Sequence, residues 1–198
     1  RSVITGFMRI EGRPFAVLAN DCQQLGGAID SAAADKAANF IEICSAHGLP
    51  ILSFVDTPGF MVGPDSEKEG AFRRMGELFK HGARIKTPLV GIILRRGYGL
   101  GAMAMMGGSF VDPIYSASWP NGEFGGMGLE GYVKLGFKKE LEAEETEEKK
   151  KALFDKLVAR MYEVGKATEA AAHLEMDAVI DPASTRETIL KAFKSFGA

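Results

Sequence analysis

The sequence predicts a mixed α/β fold in which a mainly parallel sheet is flanked by helices, and three observations carry that expectation. Two short, mainly apolar runs, residues 51–55 and 89–94, have the length and β-branched content of strands buried on both faces. Segments with apolar residues at three- and four-residue spacing alternate with them, and strand–helix–strand–helix order favours parallel pairing through crossovers. Glycine-bearing loops, residues 56–63 and 95–101, lie directly beyond the carboxyl ends of both runs, where open parallel sheets hold their ligands.

The elements follow in order. Residues 7–10 and 14–20 are expected strands, joined at the hairpin signal Glu11-Gly12-Arg13. Residues 21–27 form a loop ending in Gly26-Gly27, and residues 31–47 a helix with Ala34, Ala37, Ala38, Ile41 and Cys44 on one face, stopped by Gly48-Leu49-Pro50. After the strand at 51–55 and the loop Asp56-Thr57-Pro58-Gly59-Phe60-Met61-Val62-Gly63, one long helix is expected over residues 66–86.

The strand at 89–94 then leads into Arg95-Arg96-Gly97-Tyr98-Gly99-Leu100-Gly101 as a turn, with a small-residue helix beginning over 101–106. Asp112-Pro113-Ile114-Tyr115 and residues 116–121 suggest short strand and turn, followed by a second glycine-rich surface over 122–128. The alternating Glu and Lys of residues 138–151 fit a solvated helix or helical hairpin. Leu153, Leu157, Met161 and Val164 continue at helical spacing, Ala178-Val179-Ile180 marks a short strand, and a final helix is expected over 185–196. No linker divides residues 1–198, so one domain is expected, and the abrupt entry at Arg1-Ser2-Val3-Ile4 suggests a piece of a longer chain.

Composition narrows the function classes. With 198 residues, 46% hydrophobic and 25% charged, the chain resembles an ordinary soluble globular domain. A net charge of -2 with scattered basic residues gives no reason to expect nucleic acid or an anionic membrane as partner. No apolar run approaches the ~20 residues of a membrane span, and a cytoplasmic protein is expected. Cys22 and Cys44 supply neither a disulfide framework nor a zinc site, and both are expected reduced, Cys44 in a core.

The chemistry-bearing residues are few. His47, His81 and His173 stand apart from any nucleophile, so no Ser/His/Asp or Cys/His arrangement assembles, and no metal site is expected. Asp56 either orients a loop or ligand or is a simple turn former before Thr57-Pro58-Gly59. Gly97, Gly99 and Gly101 match neither nucleotide fingerprint. A helix start there instead offers unpaired backbone N–H groups to an oxyanion.

Several segments taken together are similar to a known family. Thr5-Gly6-Phe7-Met8-Arg9-Ile10 with Gly12-Arg13-Pro14, Leu25-Gly26-Gly27-Ala28-Ile29-Asp30, Ala34-Asp35-Lys36-Ala37-Ala38, Val55-Asp56-Thr57-Pro58-Gly59-Phe60, the Tyr98 to Ala102 turn, Trp119-Pro120-Asn121 and Val179-Ile180-Asp181-Pro182 occur in one order. In this order they resemble the C-terminal half of the carboxyltransferase domain of biotin-dependent acyl-CoA carboxylases, of the propionyl-, acetyl- and methylcrotonyl-CoA types. That resemblance implies a crotonase/ClpP-like spiral of ββα units. It implies transfer of a carboxyl group from carboxybiotin, borne on a carrier domain, to the alpha carbon of an acyl-CoA. Biotin acts there as its own base, which fits the lack of a catalytic histidine.

The same resemblance implies the site. Backbone N–H groups of Leu100 and Gly101 are expected to form the biotin-side oxyanion hole, with Gly59, Phe60, Gly99 and Ala102 as biotin-binding neighbours. Ala102-Met103 stands where propionyl-type members carry Tyr-Asp, which makes the pocket less polar. The implied partners are a biotin carboxyl carrier domain, a biotin carboxylase component and the N-terminal, CoA-binding half of the carboxyltransferase, within a homo-oligomer whose interface the 66–86 helix lines. This half alone is expected to be inactive. Biotin-linked acyl-CoA decarboxylases and transcarboxylases share the half-domain. The alternatives are a stand-alone crotonase-like hydratase or isomerase using Glu123 or Glu130 as acid or base, and a non-catalytic scaffold that recruits a biotin carrier.

Overall fold

Apolar residues alternating along the strands set the architecture, which a computed structural model describes for residues 1–197. The chain opens with β1 (Val3–Ile10) and β2 (Arg13–Asn20), an antiparallel hairpin. Its two turn residues, Glu11 and Gly12, both have positive φ, 51° and 79°, the backbone that matches the twist of the flanking strands. The strands β3 (Ile51–Thr57), β4 (Leu89–Tyr98), β5 (Tyr115–Ser118), β6 (Glu123–Gly125) and β7 (Ala178–Val179) add in parallel. Among the described residues they make one sheet in the order β1-β2-β3-β4-β5-β7, with β6 pairing β4 beyond the end of β5.

Successive side chains leave a strand on opposite faces, and here each face has its own core. Ile51 and Val55 of β3 and Leu89 and Ile93 of β4 face α1 (Ser31–Ala46), whose Ala33, Ala34, Ala37, Ala38, Ile41 and Cys44 are buried. Their neighbours Leu52, Val90 and Ile92 face the opposite layer, where α9 (Thr185–Ser195) packs Ile189, Leu190 and Phe193. Burying one such aliphatic side chain contributes ~1.5–3 kcal/mol, so the sheet is fixed from both sides. The alanine face lets α1 approach closely; Asp30 caps it by accepting from the Ala33 N–H at 2.7 Å. Gly48 at φ 66° stops it, with the Leu49 N–H returning to the Cys44 carbonyl at 2.9 Å.

Four expected elements change: the strand expected over 7–10 already begins at Val3. The helix expected over 66–86 is two, α2 (Pro64–Lys68) and α3 (Ala71–Gly82), because Gly70 adopts φ 73° between them. The strand expected to end at Leu94 runs on to Tyr98, so Arg95, Arg96 and Gly97 are strand rather than turn, and α4 (Gly99–Met105) begins at once. Asp112 to Ile114 are not strand; pairing begins at Tyr115. Beyond β6, α5 (Leu129–Gly136), α6 (Lys138–Glu142) and α7 (Glu147–Val164) form a helical lobe. Their charge run is solvated as expected, with Lys149–Glu145 at 2.8 Å and both side chains exposed. A short α8 (Ala167–Ala172) returns the chain to β7.

Candidate functional site

The carboxyl ends of β3, β4 and β6 bring three glycine-bearing segments together. At the end of β3, Thr57 is fully buried; its hydroxyl lies 2.8 Å from the Gly27 carbonyl and accepts from the Gly59 N–H at 3.1 Å. The next residues are pinned by a parallel bridge, the Ile29 N–H donating to the Gly59 carbonyl at 3.0 Å and the Met61 N–H to the Ile29 carbonyl at 2.8 Å. Between them the Phe60 N–H has no acceptor among the described residues.

The first turn of α4 lies against this loop. A Cβ on Gly101 would stand 2.7 Å from the Gly59 carbonyl carbon and 2.8 Å from the Phe60 nitrogen, and one on Gly99 would stand 2.7 Å from the Gly126 carbonyl oxygen. Only glycine permits this backbone-to-backbone approach. The amides of Gly99, Leu100 and Gly101 belong to a first helical turn, which has no intrahelical carbonyl to satisfy it. Ser53 holds the far end of α4, its hydroxyl donating to the Met105 carbonyl at 2.7 Å.

These segments wall a cavity of about 530 Å³. Gly59, Phe60, Gly99 and Leu100 line it, with Gly126 to Gly128 on one side and Phe72, Met75 and Phe79 of α3 on the other. Gly101 is buried at the contact with Gly59 and Phe60, and Ala102 is wholly buried in the core. Ala102 therefore offers no side-chain surface to a ligand, whereas Gly59, Phe60 and Gly99 line the cavity. The rim is apolar and open: Val62 is 76%, Phe72 70% and Leu100 62% exposed. Another cavity, about 560 Å³, opens at the opposite end of the strands beside Pro88 and Leu89.

Asp56 is a strand residue that holds two arginines, not a turn former. Its Oδ1 accepts from Arg96 Nε at 2.8 Å and its Oδ2 lies 2.9 Å from Arg95 Nη2. Burial opposes its ionisation, but hydrogen bonds from Arg96, Arg95 and Cys22 outweigh that and hold the carboxyl below its ordinary range. The Cys22 thiol is pushed up, first by burial and then by Asp56. Neither arginine was recognisable as a partner of Asp56 in the sequence; the available signal was an Arg pair and an Asp at the ends of adjacent strands.

The two glutamates considered as acids or bases are committed elsewhere. Tyr98 donates to Glu123 at 2.6 Å and Tyr162 to Glu130 at 2.8 Å. Burial and then Glu123 push the Tyr98 hydroxyl far up, and the bond to Glu130 followed by burial pushes Tyr162 up to about 12. Neither glutamate lines the cavity. His47 and His173 are exposed, and His81 is half-buried near Glu42 and Glu77 at 3.9 and 4.0 Å. Among the described residues no helix is long and apolar enough to cross a membrane, and no group of three His, Cys, Asp or Glu could hold a metal ion.

The chain is 34% identical over 192 residues to the biotin-dependent acetyl-/propionyl-coenzyme A carboxylase beta6 subunit of Mycobacterium tuberculosis, covering 96% of this chain and 40% of that one. It thus spans about two fifths of the length of that curated relative. Among solved structures, a single-chain, multi-domain long-chain acyl-CoA carboxylase matches with TM-score 0.86 and 51% identity, covering 96% of this chain and 19% of that one. The transcarboxylase 12S hexamer, with methylmalonyl-coenzyme A and methylmalonic acid bound, matches with TM-score 0.89 and 30% identity, covering 99% and 37%. These neighbours are carboxyltransferases of the crotonase-like fold, in agreement with the expected fold class. The carboxyl transferase domain model matches residues 1–196, and the chain belongs to that family.

Proposed function

We propose that residues 1–198 form the biotin-side half of a carboxyl transferase that delivers a carboxyl group from biotin to the alpha carbon of an acyl-CoA. The observation that carries this reading is the meeting of the Gly59-Phe60 loop and the first turn of α4 at one apolar cavity, in a chain of this family. The cavity fits biotin's chemistry. A fused bicyclic ring needs apolar walls, which Phe60, Phe72, Met75 and Phe79 supply, and a polar ureido oxygen needs donors at the floor.

Biotin, when bound on its carrier, supplies the carboxyl group. The chain's own contribution is geometric: the amides of Leu100 and Gly101 would be the donors to the ureido oxygen of a bound biotin, with Phe60 on the facing loop. Such donors cost no reorganisation during reaction and act strongly where water is excluded. No side-chain acid is required of this half, consistent with Glu123 and Glu130 being held by tyrosines. That occupancy weighs against a stand-alone hydratase.

On this reading the partners are a biotin carboxyl carrier domain, a biotin carboxylase component and the CoA-side half of the carboxyltransferase, met across the apolar rim of Val62, Phe72 and Leu100 in a homo-oligomer. Two free cysteines suit a reducing compartment such as the cytoplasm. The test is to supply carboxylated carrier and acyl-CoAs from acetyl to palmitoyl to the full-length enzyme. Biotin-dependent carboxylation of one of them is expected; hydration without biotin, or carrier binding without turnover, would overturn the proposal.

A further inference from the structure

Beneath the facing loops, β3 and β4 leave regular register. Val55 pairs with Ile93, but the next pair is Thr57 with Gly97. Asp56 alone on β3 therefore lies opposite Leu94, Arg95 and Arg96 on β4, a bulge of the kind that re-aims side chains beside functional sites. Strand alternation would send Arg95 and Arg96 to opposite faces; the bulge lets both reach one carboxylate.

Arg96 does more than pair. Its Nε donates to Asp56 Oδ1 at 2.8 Å, its backbone N–H to the same oxygen at 3.3 Å, and its Nη2 to the Gly26 carbonyl at 2.6 Å. Gly27, the next residue, is so close to β3 that a Cβ there would stand 2.4 Å from the Asp56 carbonyl oxygen. The Asp56 backbone N–H donates to Asn20 Oδ1 at the end of β2, at 3.2 Å. One ion pair thus joins the loop after β2 to the carboxyl ends of β3 and β4. The Asp56 side chain is 13% and that of Arg96 22% exposed, so solvent screens the pair little.

The pair lines no part of the cavity, yet Asp56 is three residues before Gly59 and Arg96 four before Leu100 in the chain. We propose that Asp56 and Arg96 are positioning residues for carboxyl transfer, their ion pair setting how the Gly59-Phe60 loop and the first turn of α4 stand relative to one another. The inference rests on the carboxyl transfer reading and adds to it the device that aims the donors. Below the bulge β3 and β4 keep regular register in the core, so loss of the pair releases the loops without releasing the sheet.

The experiment uses the full-length enzyme with its carrier, assayed for transfer to the acyl-CoA that the wild type carboxylates best. A wild type that carboxylates none of them overturns the functional reading itself, whatever the variants do. Given an active wild type, Asp56→Asn and Arg96→Gln are each expected to lower kcat about 10–100-fold, as misplacement of reacting groups by about 1 Å does. KM for the acyl-CoA stays within about twofold, since the interaction acts only on the transition state. The double variant is expected to fall little further, because the two residues act as one unit.

Arg96→Lys keeps the charge but lacks the fork that holds Asp56 and Gly26 together, and is expected to be as slow as Arg96→Gln. It also decides the matter if Asp56→Asn does not fold. Wild-type kcat in folded Arg96→Lys or Asp56→Asn, a rise in KM at constant kcat, or fully multiplicative losses in the double variant overturns the proposal.

Discussion

Along β4, Leu89, Val90, Ile92 and Ile93 pair with β3 and β5 in unbroken register and are buried to 4% exposure or less. Arg95, Arg96, Gly97 and Tyr98 pass through a bulge, exchange β5 for β6 as neighbour, and hold their places by ion pair and hydrogen bond. The first stretch follows the rule of a two-sided buried strand, where apolar area decides the outcome. The second gives up regular pairing to aim groups at the loops above it. If the proposed positioning role holds, stability and function divide between the two ends of a single strand, and substitutions at each end should separate them.

The largest effect is expected just beyond the irregular end. Gly101→Pro removes a donor amide, and loss of one oxyanion donor lowers turnover about 10²–10³-fold; a carboxyl transfer assay with normal turnover would exclude Gly101 as a donor. Proline also carries a Cβ into Gly59, so Gly101→Ala is the necessary companion. It keeps the N–H but would place that carbon 2.7 Å from the Gly59 carbonyl carbon. A smaller loss in Gly101→Ala than in Gly101→Pro separates the donor from the fit.

At the regular end, Ile93→Ala should destabilise the fold by ~2–5 kcal/mol, the range for truncating a buried aliphatic side chain. Denaturant unfolding would show it, while turnover per folded molecule stays at the wild-type value. A comparable fall in kcat would show that the two ends are not independent. Thr57→Val lies between them. It strips a buried hydroxyl from the Gly27 carbonyl and Gly59 N–H, leaving unpaired groups that cost ~1–3 kcal/mol, and should lower kcat along with the melting midpoint.

A smaller effect concerns acid. Because the Asp56 carboxyl is held below its ordinary range, its contribution to stability is complete above the unfolded value near pH 4 and is lost as pH falls through the lower folded value. Asp56→Asn should therefore be less stable than wild type at neutral pH, the gap closing below about pH 4 in urea midpoints. A gap that stays constant with pH would contradict the charge as its source. Lys149→Ala, which removes an exposed pair in the helical lobe, is expected to shift neither midpoint nor turnover measurably.

How much of this was legible in the sequence follows the same division. The runs at 51–55 and 89–94 announced buried strands because composition alone fixes a two-sided core, and Gly59, Gly99 and Leu100 could be placed at strand ends from punctuation. Arg95-Arg96-Gly97 after Leu94 looks like a turn in the sequence; Arg96 instead stays in the strand and holds Asp56, 40 residues away, a partner no local pattern reveals. Gly70 hid inside a helical pattern because glycine can sit in a helix at modest cost, and only the structure shows its left-handed backbone. The role of Phe72, Met75 and Phe79 as a cavity wall was likewise invisible, since the same spacing serves any amphipathic helix.

The close approach of Gly101 to Gly59 has a consequence for divergence. A site whose donors are main-chain amides makes demands on chain path rather than on side-chain identity, and it vetoes a side chain only where backbone must touch backbone. Relatives can then exchange most of their residues around such a site while its shape persists. The transcarboxylase 12S structure superposes with TM-score 0.89 at 30% identity.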